Sequence, residues 1–213
     1  MARIENEFFD RYRTMKKSEL DKNKTLVIVI DMVKGFVESG AMADPAIAKL
    51  EKEILPLLKY YPHHLYFQDA HQPSSVELTV YPAHCIKGTV ESEIIDGLYA
   101  DAMASTIIEK NSTNGFMAPE FMASAADTAQ RFNNFILVGC CTDICVLQFA
   151  LSWVGYLHQN NYENKKIYLP LNAVDTYHAK GAHEAATFNK MAVHLMENAG
   201  IQILRKIGQG EKE

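Results

Sequence analysis

The chain has 213 residues, 48% of them hydrophobic and 22% charged, with a formal net charge of −5. These are globular values that exclude a disordered or fibrous chain, and the length suits one domain able to bury roughly 70% of its unfolded surface. The acidic balance argues against nucleic acid as the main partner, because phosphate binding needs clustered Lys and Arg.

In chain order, residues 3–20 place Phe8, Tyr12 and Met15 at helical spacing among many charges. This predicts a short amphipathic N-terminal helix packed on the domain or on a partner. Leu26-Val27-Ile28-Val29-Ile30 is an unbroken apolar run ending at Asp31, as in a strand buried on both faces. Asp44-Pro45 is a cap followed by proline at the first helical position, and Ile47, Leu50, Ile54, Leu57 and Leu58 continue a helix face over 45–60. Leu65-Tyr66-Phe67 reads as a strand ending at Asp69, and residues 70–104 as a long insertion of weak periodicity. Thr106-Ile107-Ile108 is strand-like and ends near Lys110. A helix over 119–132 starts at Pro119, and Phe135-Ile136-Leu137-Val138 is a strand ending at Gly139. A helix over 143–159, a strand from Lys166 to Leu169 and a helix over 180–198 closed by Ala199-Gly200 come next. Ile201–Leu204 is a last strand, and the polar tail from Gly208 to Glu213 is expected to be loose.

Six strands alternating with helices predict an α/β fold: a single three-layer αβα domain around a six-stranded parallel sheet. Ligands in such sheets bind beyond the carboxyl ends of the strands. Asp31, Asp69, Lys110 and the Gly139–Cys145 turn all fall at that rim.

Cys145 lies near the start of a helix, where the dipole and backbone N–H groups are expected to lower a thiol pKa. With a carboxylate base and a lysine cation beside it, it would be an activated nucleophile. Taken singly, a buried inert Cys, a turn-capping Asp31 and a surface Lys110 are the commoner readings; their meeting at one rim carries the case. Asp69-Ala70-His71 puts two ligand-type side chains on one side of an extended segment. With His84 and Glu77 they form a candidate site for Zn²⁺ or a similar divalent ion. Cys85 is read as structural, Cys140 and Cys141 as small residues filling a tight turn, and Asp175 and His183 as capping and packing residues. His63, His64, His158 and His194 read as surface or boundary histidines without an evident partner.

Three of the four cysteines fall within six residues, a poor layout for a disulfide framework. Met1 to Leu20 is charged throughout, without the apolar core of a secretory leader, and no apolar run is long enough to span a membrane. A protein of the reducing cytosol, with neither nucleic-acid nor membrane partners, is expected.

Five segments, VIVIDMVKGF (27–36), YFQDAH (66–71), YPAHCIKGT (81–89), EKNSTNGF (109–116) and VGCCTDICV (138–146), resemble in content and order the isochorismatase-like cysteine hydrolases, within them the nicotinamidase/pyrazinamidase branch. The resemblance covers most of residues 25–205. It implies a hydrolase domain over 25–207, with 1–24 as an N-terminal extension and 208–213 as a tail. It implies Asp31, Lys110 and Cys145 as a catalytic triad, and Asp69, His71 and His84, with Glu77 in some members, as ligands of a divalent metal, usually zinc. It also implies a cis peptide between Cys140 and Cys141, an oxyanion site made by the Cys141 and Cys145 N–H groups, and a homo-oligomer. Thr113 stands where nicotinamidases often carry an aromatic residue, so Phe36 and Tyr81 are the expected walls of a substrate pocket beside it. The expected reaction is hydrolysis of a small carboxamide, nicotinamide to nicotinate and ammonia. The alternatives are another amidase or ureide hydrolase of the same superfamily, and more distantly a non-catalytic receiver-like module.

Overall fold

The computed structural model describes residues 6–208. Its strands are β1 (Thr14–Lys16), β2 (Thr25–Ile30), β3 (His63–Asp69), β4 (Thr106–Lys110), β5 (Asn134–Cys140), β6 (Lys166–Pro170), β7 (Val174–Asp175), β8 (Gln202–Leu204) and β9 (Lys206–Gly208). The helices are α1 (Asn6–Phe9), α2 (Lys34–Val37), α3 (Leu50–Leu58), α4 (Asp96–Met103), α5 (Pro119–Arg131), α6 (Leu147–Gln159) and α7 (Ala185–Asn198). Six strands lie in the order β4-β3-β2-β5-β6-β8, every pair parallel, and the two-residue β7 adds to β5.

The unbroken apolar run of β2 follows from its place at the middle of this sheet, where both faces are covered. Leu26, Ile28 and Ile30 join one core with Phe121 and Ala125 of α5, Phe149 and Trp153 of α6, and Val193 of α7. Val27 and Val29 join the other with Ile54 and Leu57 of α3 and Leu98 of α4. Successive side chains of a strand point to opposite faces, so a strand between two helical layers is apolar at every position.

The N-terminal segment departs from expectation. The described part of the helix expected over 3–20 is a single turn, α1, followed by β1, which pairs in parallel with β9 as a separate two-stranded sheet. Phe8 packs in the core under α5–α7 and Met15 in the core under α3. The helical spacing of these residues was accidental: they serve opposite faces of the domain. Gly208, expected in the loose tail, belongs to β9, while the rest of that tail and residues 3–5 lie outside the described residues. The 45–60 segment opens as a 3-10 turn, Pro45–Lys49, before α3. The 70–104 insertion contains α4, which buries only Leu98 and Ala102 and so left little apolar pattern to read. His64 is not partnerless: its Nδ1 lies 3.0 Å from Asp101 Oδ2, which also accepts a hydrogen bond from the Tyr66 hydroxyl. Among the described residues no helix is long and apolar enough to cross a membrane.

Candidate active site

Strand register builds the site. Ile30 pairs with Phe67 of β3 and with Gly139 of β5, and Asp69 pairs with Lys110 of β4. Asp31, Asp69, Lys110 and the segment after β5 therefore leave the sheet side by side. Gly139 is obligatory there. Its φ is +113°, and a Cβ on it would meet the Ile30 carbonyl oxygen at 2.0 Å. Asp31 also has a positive φ, +51°, which turns the chain sharply as it leaves β2. The peptide joining Cys140 to Cys141 is cis, and a π turn, Thr142–Val146, carries Cys145 into α6. The sequence suggested one continuous helix from 143; a single π turn adds one residue to one turn, too brief a departure for apolar spacing to reveal.

Lys110 is the hub. Its Nζ lies 2.8 Å from Asp31 Oδ2, donates to Asp69 Oδ1 at 2.8 Å and to the Ser112 carbonyl at 3.0 Å, and faces Cys145 Sγ at 3.9 Å. Asp31, Lys110 and Cys145 are 0%, 2% and 4% exposed, so these charges act on one another with little screening by water. Burial pushes the Asp31 carboxyl up to about 6, against the pull of Lys110 and with a push from Asp69. Burial likewise raises the Cys145 thiol; Lys110 pulls it down, and the Asp31 and Asp69 carboxylates push it further up. This reverses the expected lowering of the thiol pKa. Enclosure beside two carboxylates outweighs the cation and the helix start and favours the neutral thiol. A base is then needed to take its proton, and Asp31 is adjacent and has its affinity raised toward that task.

Next to this group, Asp69, His71 and His84 turn ligand atoms toward one point. Asp69 Oδ2 lies 3.0 Å from His71 Nε2 and 3.2 Å from His84 Nε2, and the two Nε2 atoms are 3.2 Å apart. Glu77 Oε1 is 3.6 Å from His71 Nε2 and, although buried, accepts no hydrogen bond. Ligand atoms held tetrahedrally at about 2.0–2.2 Å from one ion stand about 3.3–3.6 Å apart, so this donor set fits a divalent cation. His84 Nδ1–H donates to the Pro82 carbonyl at 2.8 Å, leaving the Nε2 lone pair free to ligate. The backbone fixes the two histidine segments together: His71 N–H donates to the Cys85 carbonyl and Lys87 N–H to the His71 carbonyl. Cys85 keeps the structural part expected of it, with its sulfur packed where a Cβ on Gly35 would fall.

The chain from residue 25 to residue 199 matches the isochorismatase domain. The chain belongs to the isochorismatase domain family. It is a hydrolase. Nicotinamidase 1 of Arabidopsis thaliana is 28% identical over 211 residues, covering 85% of each chain. Among solved structures, a nicotinamidase from Bacillus subtilis is similar with a TM-score of 0.67 at 23% identity, covering 85% of this chain and 99% of that one. The pyrazinamidase of Pyrococcus horikoshii in complex with zinc is similar with a TM-score of 0.65 at 18% identity, covering 85% and 98%.

In this isochorismatase-domain hydrolase several of the candidate residues line one small cleft with about 10 Å³ of free space; Asp31, Lys110 and His71 are not part of its lining. Asp69, Glu77, His84, Cys141 and Cys145 line it together with Phe36, Tyr81 and Thr113. Met42 and Ile144 also line it, and nothing in the sequence marked them. A larger groove of about 640 Å³ opens at the other end of the sheet, lined by Leu26, His63 and Thr106 at or next to the starts of β2, β3 and β4. It holds none of the candidate residues, so size does not locate the chemistry here. Two contacts were also beyond sequence reasoning. Thr113 N–H donates to Glu77 Oε2 at 2.7 Å, and its hydroxyl donates to Gln148 of α6 at 2.9 Å. The loop after Lys110 thus links the helix that follows Cys145 to the side chain nearest the ligand cluster.

Proposed function

We propose that the chain is a cysteine amidohydrolase that cleaves a small carboxamide, nicotinamide to nicotinate and ammonia, through a thioester. The observation that carries this reading is the contact of Lys110 with Asp31, Asp69 and Cys145 at one cleft. A base, a cation and a thiol there adjoin a divalent-ion donor set. The likeness to nicotinamidase 1 supports the choice of amide.

In this mechanism Asp31 takes the thiol proton as Sγ attacks the amide carbon, and Lys110 stabilises the charge that develops. The N–H groups of Cys141 and Cys145 receive the tetrahedral oxyanion. The C–N bond breaks as Asp31 returns its proton to the departing nitrogen, giving ammonia and a thioester. Asp31 then takes a proton from water. The hydroxide attacks the thioester, and the sulfur leaves and is reprotonated. Asp69, His71, His84 and Glu77 would hold a zinc-like ion, which when bound supplies a Lewis-acid anchor for a ring nitrogen. Phe36 and Tyr81 wall the ring, and Thr113 borders it in place of an aromatic. The buried free thiols this chemistry needs fit a reducing compartment.

The test is ammonia release from nicotinamide, pyrazinamide and a panel of small amides and ureides, with wild type and Cys145→Ala. Turnover of nicotinamide that disappears in the variant supports the reading. Activity on a different amide alone moves the substrate and keeps the mechanism, the outcome Thr113 would explain. Unchanged turnover in Cys145→Ala overturns the mechanism.

A further inference from the structure

The turn that carries Cys145 is gripped by a pair of residues outside the cleft. Asp143, two residues before Cys145, meets His183 of the β7–α7 loop, with Oδ2 2.8 Å from Nε2. The His183 ring lies flat between two others. Tyr177 is 4.0 Å away between centroids with 11° between planes, and Phe188 is 3.8 Å away at 19°. Nδ1 is 2.9 Å from the Tyr177 carbonyl oxygen. The backbone is fixed too: His183 N–H donates to the Ala179 carbonyl at 2.7 Å, and Ala179 N–H donates back at 2.9 Å. The residue is 7% exposed.

Both ring nitrogens of His183 face acceptors, one a carbonyl oxygen and one a carboxylate oxygen. A neutral imidazole carries one N–H and can satisfy only one of them. The imidazolium satisfies both, and its bond to Asp143 is then charge-assisted. A ring held on two faces and at two nitrogens is a fixed point. Asp143 belongs to the π turn in which Val146 N–H reaches back to the Cys141 carbonyl, and α7 packs against that same turn. Tying Asp143 to a fixed point therefore sets the rotation of the turn, and with it the direction of Cys145 Sγ toward Asp31 and Lys110.

We propose that Asp143 and His183 form the positioning pair of the nucleophile. They fix where Sγ points without touching substrate or the reacting atoms. This inference rests on the reading of Cys145 as nucleophile.

The experiment uses metal-loaded full-length protein and the variants His183→Ala, Asp143→Asn and Asp143→Ala. It reads kcat and KM on the best amide, and the rate of Cys145 alkylation by iodoacetamide, which needs no knowledge of the substrate. In His183→Ala, kcat should fall at least about tenfold while KM moves less than about threefold, because a misaimed nucleophile loses rate rather than binding. Alkylation should fall with kcat. Added imidazole, entering the slot between Tyr177 and Phe188, should restore both, whereas thiophene, an apolar ring of similar size, should restore neither. Asp143→Asn, which keeps an acceptor for the ring, should retain more activity than Asp143→Ala. Wild-type alkylation and kcat in His183→Ala would overturn the proposal. So would a loss confined to KM, or rescue by thiophene equal to that by imidazole, which would mean packing alone. If His183→Ala does not fold, equal activities of the two Asp143 variants overturn it. Failure of the parent reading looks different: Cys145→Ala would then turn over amide at the wild-type rate.

Discussion

The Lys110 ammonium donates to Asp69 Oδ1 at 2.8 Å, so the cation facing the Cys145 thiol is bonded to a carboxylate of the ligand cluster. The two halves of the site share one buried ion pair, and Asp31 closes it from the other side. Lys110→Met leaves two buried carboxylates without a cation, and breaking a buried pair costs about 3–5 kcal/mol. The pH dependence follows from Asp69. Burial works to raise its carboxyl, but Lys110 and the bonds to His71 and His84 outweigh burial and hold it well below the ordinary range. A lowered carboxyl contributes stability above its unfolded pKa, and that contribution is lost as pH falls. The variant has lost most of it, so its deficit against wild type should be large at about pH 7.5 and smaller at about pH 2.5, below the ordinary carboxylate range. Chemical denaturation at both pH values measures this; a deficit that does not narrow in acid contradicts the pairing.

Asp31 has the opposite sign. Burial pushes its carboxyl up to about 6, against the pull of Lys110. A base works only when ionised, so alkylation of Cys145 should rise through about pH 6 and drop about tenfold per pH unit below it. Asp31→Asn should abolish that limb and leave reactivity only at alkaline pH, where the buried thiol ionises unaided. A raised carboxyl costs stability as pH rises through the folded value. Asp31→Asn should therefore be more stable than wild type above about pH 6, with the difference closing in acid. Mass-spectrometric alkylation rates and thermal melts across pH check both limbs.

Three donors within 3.2 Å of one another, with Glu77 behind them, predict stoichiometric divalent metal in the purified protein. His71→Ala and His84→Ala should each weaken metal binding more than about a hundredfold, the upper end of what losing an outer-shell partner costs. Glu77→Gln should cost less. Elemental analysis and competition with a chelator give these values. Protein that carries no metal and binds none would remove the ligand assignment.

The strand-end residues were legible because a strand buried on both faces leaves an unbroken apolar run, and Asp31 breaks the one at 26–30. Asp69 and Lys110 stood out for the same reason, and D-x-H marked His71. The bond between Lys110 and Asp69 was not legible, since it depends on β3 and β4 pairing residue 69 with residue 110, and register is not written in either strand. The Asp143–His183 contact joins residues forty apart through a loop whose conformation no local pattern announces. Phe8 and Met15 misled because spacing reports which residues could share a face, while packing decides which core each one fills.

Gly139 offers the sharpest test of how the sheet aims the site. An added Cβ would lie 2.0 Å from the Ile30 carbonyl oxygen, a backbone atom that cannot step aside alone, and the left-handed φ of +113° adds strain for any L side chain. Gly139→Ala should lose about 2–4 kcal/mol from overlap and backbone strain together. Gly155, inside α6, is the control: a Cβ there meets nothing within 4 Å, so Gly155→Ala should be neutral or gain up to about 1 kcal/mol of helix propensity. Activity per folded molecule separates geometry from stability. Ile30 precedes Asp31, and Gly139 sits opposite Ile30 at the end of β5. Pushing β5 off β2 therefore widens the gap between the base and the turn bearing Cys145. Folded Gly139→Ala, assayed below its melting point, should be at least about tenfold slower than wild type, and full activity in that fraction would mean that the Ile30–Gly139 approach does not set the Asp31–Cys145 geometry.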